Sequence, residues 1–590
     1  MFTNFRQTMT WLHTWLGLVL GFVLMAAFFF GALSVFDREI DRWAIPEMRF
    51  EAQPMPSFDK VLQPVYAQIK PHPDDMVATQ QRVIGPLPHP DTMPMSSLWA
   101  YTTHRDPVLR IGAEFDVPNK LKDDADEHAH VHGWATIDPR SGEFLPDDKL
   151  KIGSDWFYPM HYHLNWSWLN LGYWLVGLAG FSMLVALVTG VIMHHKIFRE
   201  FFTFRPWKRT QRGALDLHNL TGVVALPFHF FFAFTGLVIF AGTLYFPVSH
   251  TLLKPLHEQH EVLEAQNTGL PHEPAGVTAP LASVDAMVAE AKRRWAARDM
   301  PGEVGFLQIE HLNDANGYVS LYRAGSDQVA LVGQAIHFKA STGEVLREEP
   351  PPSAVGSINE FLTGLHLQHF EHWTLRWLYV LGGLLGCVCI ATGFLFFVGK
   401  RKKKHAEAGS QGSRVVDALA VTTVTGMVIA AVGMLVVNRL LPADMVGKGD
   451  WEKWAFWGLW MATLLHALLR SAPVARARMN PAWREQCWGI AALAVAAVGL
   501  NGLTTGDHLF KTMISEPYWA VAGVDISLLV SAGIAIWAAR ALGRRERAGA
   551  RVEPGATFDD ALDDTLDEGV ADPEPRSGSA LPSTARVQHG

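Results

Sequence analysis

The stretch LHNLTGVVALPFHFFFAFTG, residues 217 to 236, is apolar enough to sit in a membrane, yet it carries two histidines, His218 and His229. It has a counterpart in LHTWLGLVLGFVLMAAFFFG, residues 12 to 31: His13 falls on His218, Gly17 on Gly222 and Gly31 on Gly236, at an offset of 205. Further on, WATIDPRSGEFL (134 to 145) matches AIHFKASTGEVL (335 to 346) at an offset of 201. The Thr-Gly pair at 189 to 190 matches that at 392 to 393 at an offset of 203, which also lays His163 on His366. Three independent matches at nearly one spacing imply a duplicated unit of membrane helix, polar module and membrane helix. Each unit crosses twice, so both copies share one orientation and the pseudo-axis runs along the membrane normal.

Composition agrees with a membrane class. Of 590 residues 49% are hydrophobic, with 21 Trp and 34 Phe, and only 18% are charged. A net charge of −8 argues against nucleic acid as a partner, and much of the acid lies in a tail, DDALDDTLDEGVADPEPRSGS, whose composition predicts disorder. The three cysteines, Cys387, Cys389 and Cys487, permit neither a disulfide framework, a zinc knuckle nor a C-x-x-C-H haem attachment.

Eight apolar runs are long enough to cross about 30 Å of hydrocarbon. They cover 11 to 35, 169 to 193, 219 to 247, 373 to 398, 415 to 440, 454 to 470, 486 to 504 and 519 to 541. Basic clusters follow the second, fourth, sixth and eighth: Lys196 to Arg212, KRKKK (400 to 404), Arg470 to Arg484 and RRERAGAR (544 to 551). All four fall on one side if both termini are cytoplasmic, as the positive-inside rule asks. The first run exceeds 20 residues and has no small-residue cleavage site before FDREID, so it reads as a retained anchor. Two polar stretches then lie on the outer side, which in a bacterium is the periplasm. Their alternating patterns and amphipathic pieces such as LASVDAMVAEAKRRWAA predict small α+β domains.

These residues carry a family resemblance. The LHTWLGL entry helix, the module strand ending in DPRSGE or ASTGE, and the returning helix with its VTG or ATG resemble PepSY-associated transmembrane proteins, over about residues 5 to 400. That family includes iron-regulated inner-membrane proteins and di-haem ferric-siderophore reductases. The fold expected is an α-helical integral membrane protein of the bacterial inner membrane with periplasmic α+β PepSY-like modules. It consists of a duplicated unit of transmembrane helix, module and transmembrane helix, plus a four-helix C-terminal extension. The partition is helix 1 in 1–36, module 1 in 37–168, helix 2 in 169–195, a basic cytoplasmic loop in 196–216 and helix 3 in 217–247. Module 2 in 248–372, helix 4 in 373–399, a basic linker in 400–414, four further helices in 415–541 and an acidic cytoplasmic tail in 542–590 complete it.

The resemblance implies two b-type haems and electron transfer to a periplasmic ferric complex of siderophore type. Bis-imidazole ligation needs two neutral histidines at one depth on facing helices. His13, His194, His195 and His218 lie near the cytoplasmic boundary; His161 and His163 precede helix 2, and His366, His369 and His372 precede helix 4. Repeat symmetry pairs His13 with His218 and His163 with His366, leaving two layers about a bilayer apart. His229 has Leu24 at the matching place, and on a straight helix it leaves the His218 face, about 1100° and three turns later. It would replace a symmetric ligand or serve as a stepping point between layers, and Pro227 beside it is expected to bend the helix. Arg376 would pair with a haem propionate or snorkel, and His466 is expected to be a structural hydrogen-bonding residue.

On a strand, His128, His130 and His132 in DEHAHVHGW share one face, a spacing able to hold a transition metal or to remain an exposed polar face. No G-x-G-x-x-G or P-loop occurs and the cytoplasmic loops are too short for a flavin domain, so electrons would come from membrane quinol or a separate cytoplasmic reductase. Two other readings stay open: a metal transporter lined by the histidines, and a non-catalytic PepSY regulatory protein.

Overall fold

The computed structural model describes the chain except residues 1–3, 52, 54–55, 102–107, 123–127, 146–148, 194–209, 242–268, 272, 326, 331–333, 408–411, 472–478 and 551–590. The expected ligand His194, most of the basic loop and the acidic tail therefore lie outside the described residues.

The chain enters through α1 (Phe5–Val19) and α2 (Gly21–Ser34), bent by 59° where they meet at Leu20, and continues into α3 (Asp37–Ala44). Helices α4 (Phe58–Gln68) and α5 (Pro73–Arg82) lead to strands β1 (Met95–Tyr101), β2 (Leu109–Lys120), β3 (His128–Ile137) and β4 (Phe144–Leu145). The short α6 (Tyr158–Tyr162) precedes α7 (Leu171–Met193). Then α8 (Thr210–Val224) and α9 (Leu226–Phe240) form a second bent pair, at 65°. Helix α10 (Val284–Ala296) and strands β5 (Val304–Glu310), β6 (Tyr318–Arg323), β7 (Ala335–Lys339) and β8 (Val345–Glu348) are followed by α11 (Ala354–Leu367) and the long α12 (Trp373–Glu407). The extension comprises α13 (Gly412–Leu440), α14 (Lys448–Arg470), α15 (Ala482–Thr505) and α16 (Trp519–Ala550).

This is a membrane protein. Among the described residues five helices are long and apolar enough to cross a bilayer, and the two bent pairs raise the count to as many as seven. The sixth expected run forms α14, about 34 Å long, but Lys448, Asp450, Glu452 and Lys453 charge its first turns and lower its apolarity. It nevertheless packs against α13 and α15, and α13 is the most enclosed of the spans.

The strands form one antiparallel sheet in the order β4-β3-β2-β1-β5-β6-β7-β8. The two sets of four meet where β1 pairs with β5, Leu98 opposite Ile309 and Tyr101 opposite Phe306. Period-two alternation turns Leu98, Ile111, Ala113, Val131, Leu307, Leu321 and Phe338 onto one face, where α4 and α10 cover them with Phe58, Val65, Met287 and Trp295. The covering helices cap each other. Asp285 accepts from the Phe58 amide at 2.7 Å and from Ser57 Oγ, while Asp59 accepts from the Val284 amide at 2.7 Å and from Ser283 Oγ. The DPRSGE and ASTGE motifs close equivalent turns, with Gly142 at φ 76° and Gly343 at φ 74°, a region other residues adopt at a cost. Arg110 ties the sheet to the helices through Asp41 and Ser154, and Lys151 does so through Thr136.

Candidate functional site

The LH motifs bring His13 of α1 and His218 of α8 together at the end of the bundle far from the sheet, with ring centres 6.2 Å apart and planes at 85°. Each ring is fixed from behind. His13 Nδ1 donates to the Ala186 carbonyl at 2.9 Å and lies 3.2 Å from Thr189 Oγ1. Thr189 spends its own proton on the Val185 or Ala186 carbonyl, so toward His13 it accepts. His218 Nδ1 donates to the Cys389 carbonyl at 2.7 Å. A methyl group on Gly190 would approach the His13 ring to 3.3 Å, and one on Gly393 would come equally near His218. The repeated Thr-Gly is thus the back wall of an imidazole slot.

A second pair lies nearer the sheet. His161 of α6 and His366 of α11 have ring centres 5.9 Å apart at 27°. His161 Nδ1 donates to the Ala27 carbonyl at 2.8 Å. His366 Nδ1 meets Thr235 Oγ1 at 2.9 Å, and that hydroxyl donates to the Phe231 carbonyl. A Cβ on Gly31 would stand 2.8 Å from His161, and one on Gly236 3.0 Å from His366.

The expected partner of His366 was His163, and the structure corrects this. His163 ends α6, its ring beside Tyr162 and Tyr173 at 4.7 and 5.1 Å, with a buried Nδ1 that has no partner among the described residues. The offset of 203 taken from Thr-Gly misplaced it by two residues. The offset of 205 that relates His13 to His218 and Gly31 to Gly236 also relates His161 to His366.

The shared-face reading of His218 and His229 also fails, because the 65° break at Ala225 separates them. Pro227 stands at that break, as expected, but α1 and α2 break at the equivalent Leu20 without a proline. His229 is 2% exposed, edge-on to Phe28 at 5.4 Å, and its Nε2 has no partner among the described residues. The two pairs are closer than a bilayer thickness. His218 and Gly236 are at most about 27 Å apart along the helix axis, and the bend shortens that path. His369 is half-buried in the turn between α11 and α12, three residues past His366.

On the sheet, β3 does alternate as expected, but the side chain of His128 lies outside the described residues. His130 meets Glu114 at 2.9 Å and Asp116 at 3.1 Å, and hydrogen bonds to Asp116 and Glu114 push its pKa up to about 10. His132 meets Asp75 at 3.0 Å and stacks on Trp134. Among the described residues no three His, Cys, Asp or Glu side chains gather as a metal would need. Arg376 is held by Glu39 at 3.0 Å and by the Val35 carbonyl, under the rings of Phe36 and Trp373. His466 bonds Glu485 and Gln486, a structural role as expected.

The helix, sheet and helix order just described has a known counterpart: residues 10–400 match the family model for PepSY-associated TM regions. The chain belongs to that family. It is also 28% identical over 342 residues to the uncharacterized protein PA4219 of Pseudomonas aeruginosa, covering 55% of this chain and 82% of that one.

Whether this PepSY-associated protein can hold haem is a question about its donor set. Each of the four slot imidazoles hydrogen-bonds through Nδ1 to an acceptor on a neighbouring helix, which fixes the tautomer with the Nε2 lone pair available. Two imidazoles on opposite sides of one metal have ring centres about 6.2 Å apart, from about 2.0 Å per metal–nitrogen bond and about 1.1 Å from nitrogen to ring centre. Both pairs stand near that separation, and their interplanar angles are free because each ring rotates about its metal–nitrogen bond. The residues present fit bis-histidine haem.

Proposed function

We propose that this protein is a b-type di-haem membrane oxidoreductase that passes electrons across the bacterial inner membrane to a periplasmic ferric complex of siderophore type and releases its iron. The observation that carries the reading is the two facing imidazole pairs, each ring pinned through Nδ1 and backed by a glycine. His13 with His218 would hold one haem and His161 with His366 the other. Haem, when bound, supplies one-electron carriage at a potential set by its ligands and their surroundings.

The chain's own residues do the rest. The carbonyls of Ala186, Cys389 and Ala27 and the hydroxyl of Thr235 keep the ligand nitrogens oriented and raise their basicity. The glycines let the rings sit close to neighbouring backbones. Apolar Phe, Leu and Val side chains between the layers exclude water, and the His229 ring is buried among them. One electron delivered to a ferric chelate makes Fe(II), which hard oxygen ligands hold more weakly.

We further propose that the chain duplicated a unit of helix, PepSY-like module and helix. The mirror-ordered sheet, the reciprocal caps and the equivalent histidine slots support that history. The modules lie in the periplasm and both termini in the cytoplasm, a topology supported by the basic clusters. The electron donor is quinol or a separate cytoplasmic reductase. The test is anaerobic: dithionite-reduced protein, freed of excess dithionite, is mixed with a ferric hydroxamate and an Fe(II) chromophore. Stoichiometric reoxidation with appearance of Fe(II) supports the activity; a reduced spectrum that persists for hours contradicts it.

A further inference from the structure

Where the extension meets the rest of the protein, the sheet-side ends of α13 and α15, the start of α14 and the chain just after α3 enclose a cavity of about 320 Å3. Its depth is that of the membrane surface. Two apolar spans end on it, at Leu440 and Thr505, and Trp451 and Trp454 on the first turns of α14 are 59% and 72% exposed, as in an interfacial aromatic belt.

The wall carries charges of both signs that the protein leaves incompletely matched. Arg439 is 8% exposed. Its Nε and Nη2 donate to Asn438 Oδ1 at 2.9 and 2.6 Å, Nη2 also meets the Ala44 carbonyl, and its plane lies over Trp43. Among the described residues no carboxylate ion-pairs with it. Among the described residues Lys448 Nζ reaches only the Leu441 carbonyl, at 3.4 Å. Glu452, one turn further along α14 and 1% exposed, accepts from Asn438 Nδ2 at 2.8 Å and likewise has no ion pair. Glu47 and Lys149 neutralise each other at 2.5 Å.

A simple anion in this cavity would satisfy Arg439 and Lys448 but face Glu452, and a simple cation would do the reverse. A ligand carrying both charges a few ångströms apart answers both, and at this depth the membrane itself supplies one. We propose that the cavity binds the headgroup of a zwitterionic aminophospholipid, its phosphate between Arg439 and Lys448 and its primary ammonium on Glu452. A primary ammonium can donate hydrogen bonds to Glu452, whereas a trimethylated one cannot. The bound lipid then seals the extension against the PepSY-associated core, giving α13 to α16 a structural task independent of electron transfer.

The test uses the full-length protein in detergent, with thermal unfolding followed after adding phosphatidylethanolamine, phosphatidylglycerol, phosphatidylcholine or free O-phosphoethanolamine. Phosphatidylethanolamine is expected to raise the midpoint most. Glu452→Gln is expected to abolish its advantage over phosphatidylcholine, and Lys448→Gln to reduce stabilisation by every phospholipid; Arg439→Gln should do so more strongly, with Lys448→Gln deciding if that variant does not fold. Equal stabilisation by all three lipids in wild type and variants overturns the proposal. An equal shift from free O-phosphoethanolamine overturns the assignment to lipid.

Discussion

His161 and His366 stand 5.9 Å apart between ring centres, one bonded to the Ala27 carbonyl and the other to Thr235 Oγ1. Their rings pack against Gly31 and Gly236. His163, two residues on, turns into a tyrosine cluster instead.

His161→Ala is therefore expected to leave about one b haem per chain of about two, and His163→Ala to leave haem content unchanged. A pyridine haemochrome assay on both purified variants decides it. Loss of haem in His163→Ala with retention in His161→Ala would reverse the assignment.

The two layers differ in how firmly their rings are oriented. His13 retains the Ala186 carbonyl if Thr189 is lost, whereas among the described residues His366 Nδ1 bonds Thr235 alone. Thr235→Val should weaken haem retention at the sheet-side layer by about 10- to 100-fold, and Thr189→Val should change the other layer far less. Haem titration into apoprotein, read by absorbance, measures both.

His229→Leu installs the residue found at the matching position, Leu24, and removes a buried nitrogen that has no described partner. Both haems should remain, and unfolding should occur at the same or a slightly higher temperature, since an unsatisfied buried polar atom costs about 1–3 kcal/mol. Loss of a haem in this variant would make His229 a ligand. If it is instead a stepping residue, stopped-flow reoxidation slows while haem content holds.

The module sheet should show its own pH dependence. Hydrogen bonds to Asp116 and Glu114 raise His130 from its ordinary 6.5 to about 10. A folded pKa above the unfolded one gives stability that is fully present below about pH 6.5 and is lost as pH rises through about 10. Because His130 is 45% exposed on its side chain, the effect is screened and small. The difference in unfolding midpoint between wild type and His130→Asn should shrink from pH 6 to pH 10.5; a difference constant over that range would show that the imidazolium contributes nothing.

Much of this was legible in the sequence because repeats carry position. The LH and Thr-Gly motifs located the His13 and His218 slots, and the matched DPRSGE and ASTGE turns located the ends of β3 and β7. What stayed hidden depends on tertiary contacts. The break at Leu20 has no proline to announce it; Gly21 there packs so closely on Phe394 that a Cβ would meet the ring at 3.1 Å. The sequence separates His161 from His163 only by the choice between the 205 and 203 offsets, and the backbone of α6 decides which ring enters the bundle. The joining of two four-stranded sets through β1 and β5 is a long-range pairing that neither strand's alternation records. For Arg376 the sequence suggests a haem propionate partner or snorkelling, because its actual partner, Glu39, lies 337 residues away.

The measurement that bears most directly on the central claim is the reduced-minus-oxidised absorption spectrum of the purified full-length protein, with haem stoichiometry from the pyridine haemochrome. The account predicts sharp low-spin b-type bands and about two haems per chain, falling to about one in either His218→Ala or His366→Ala. A protein that carries no haem as purified and takes up none when it is added would contradict it.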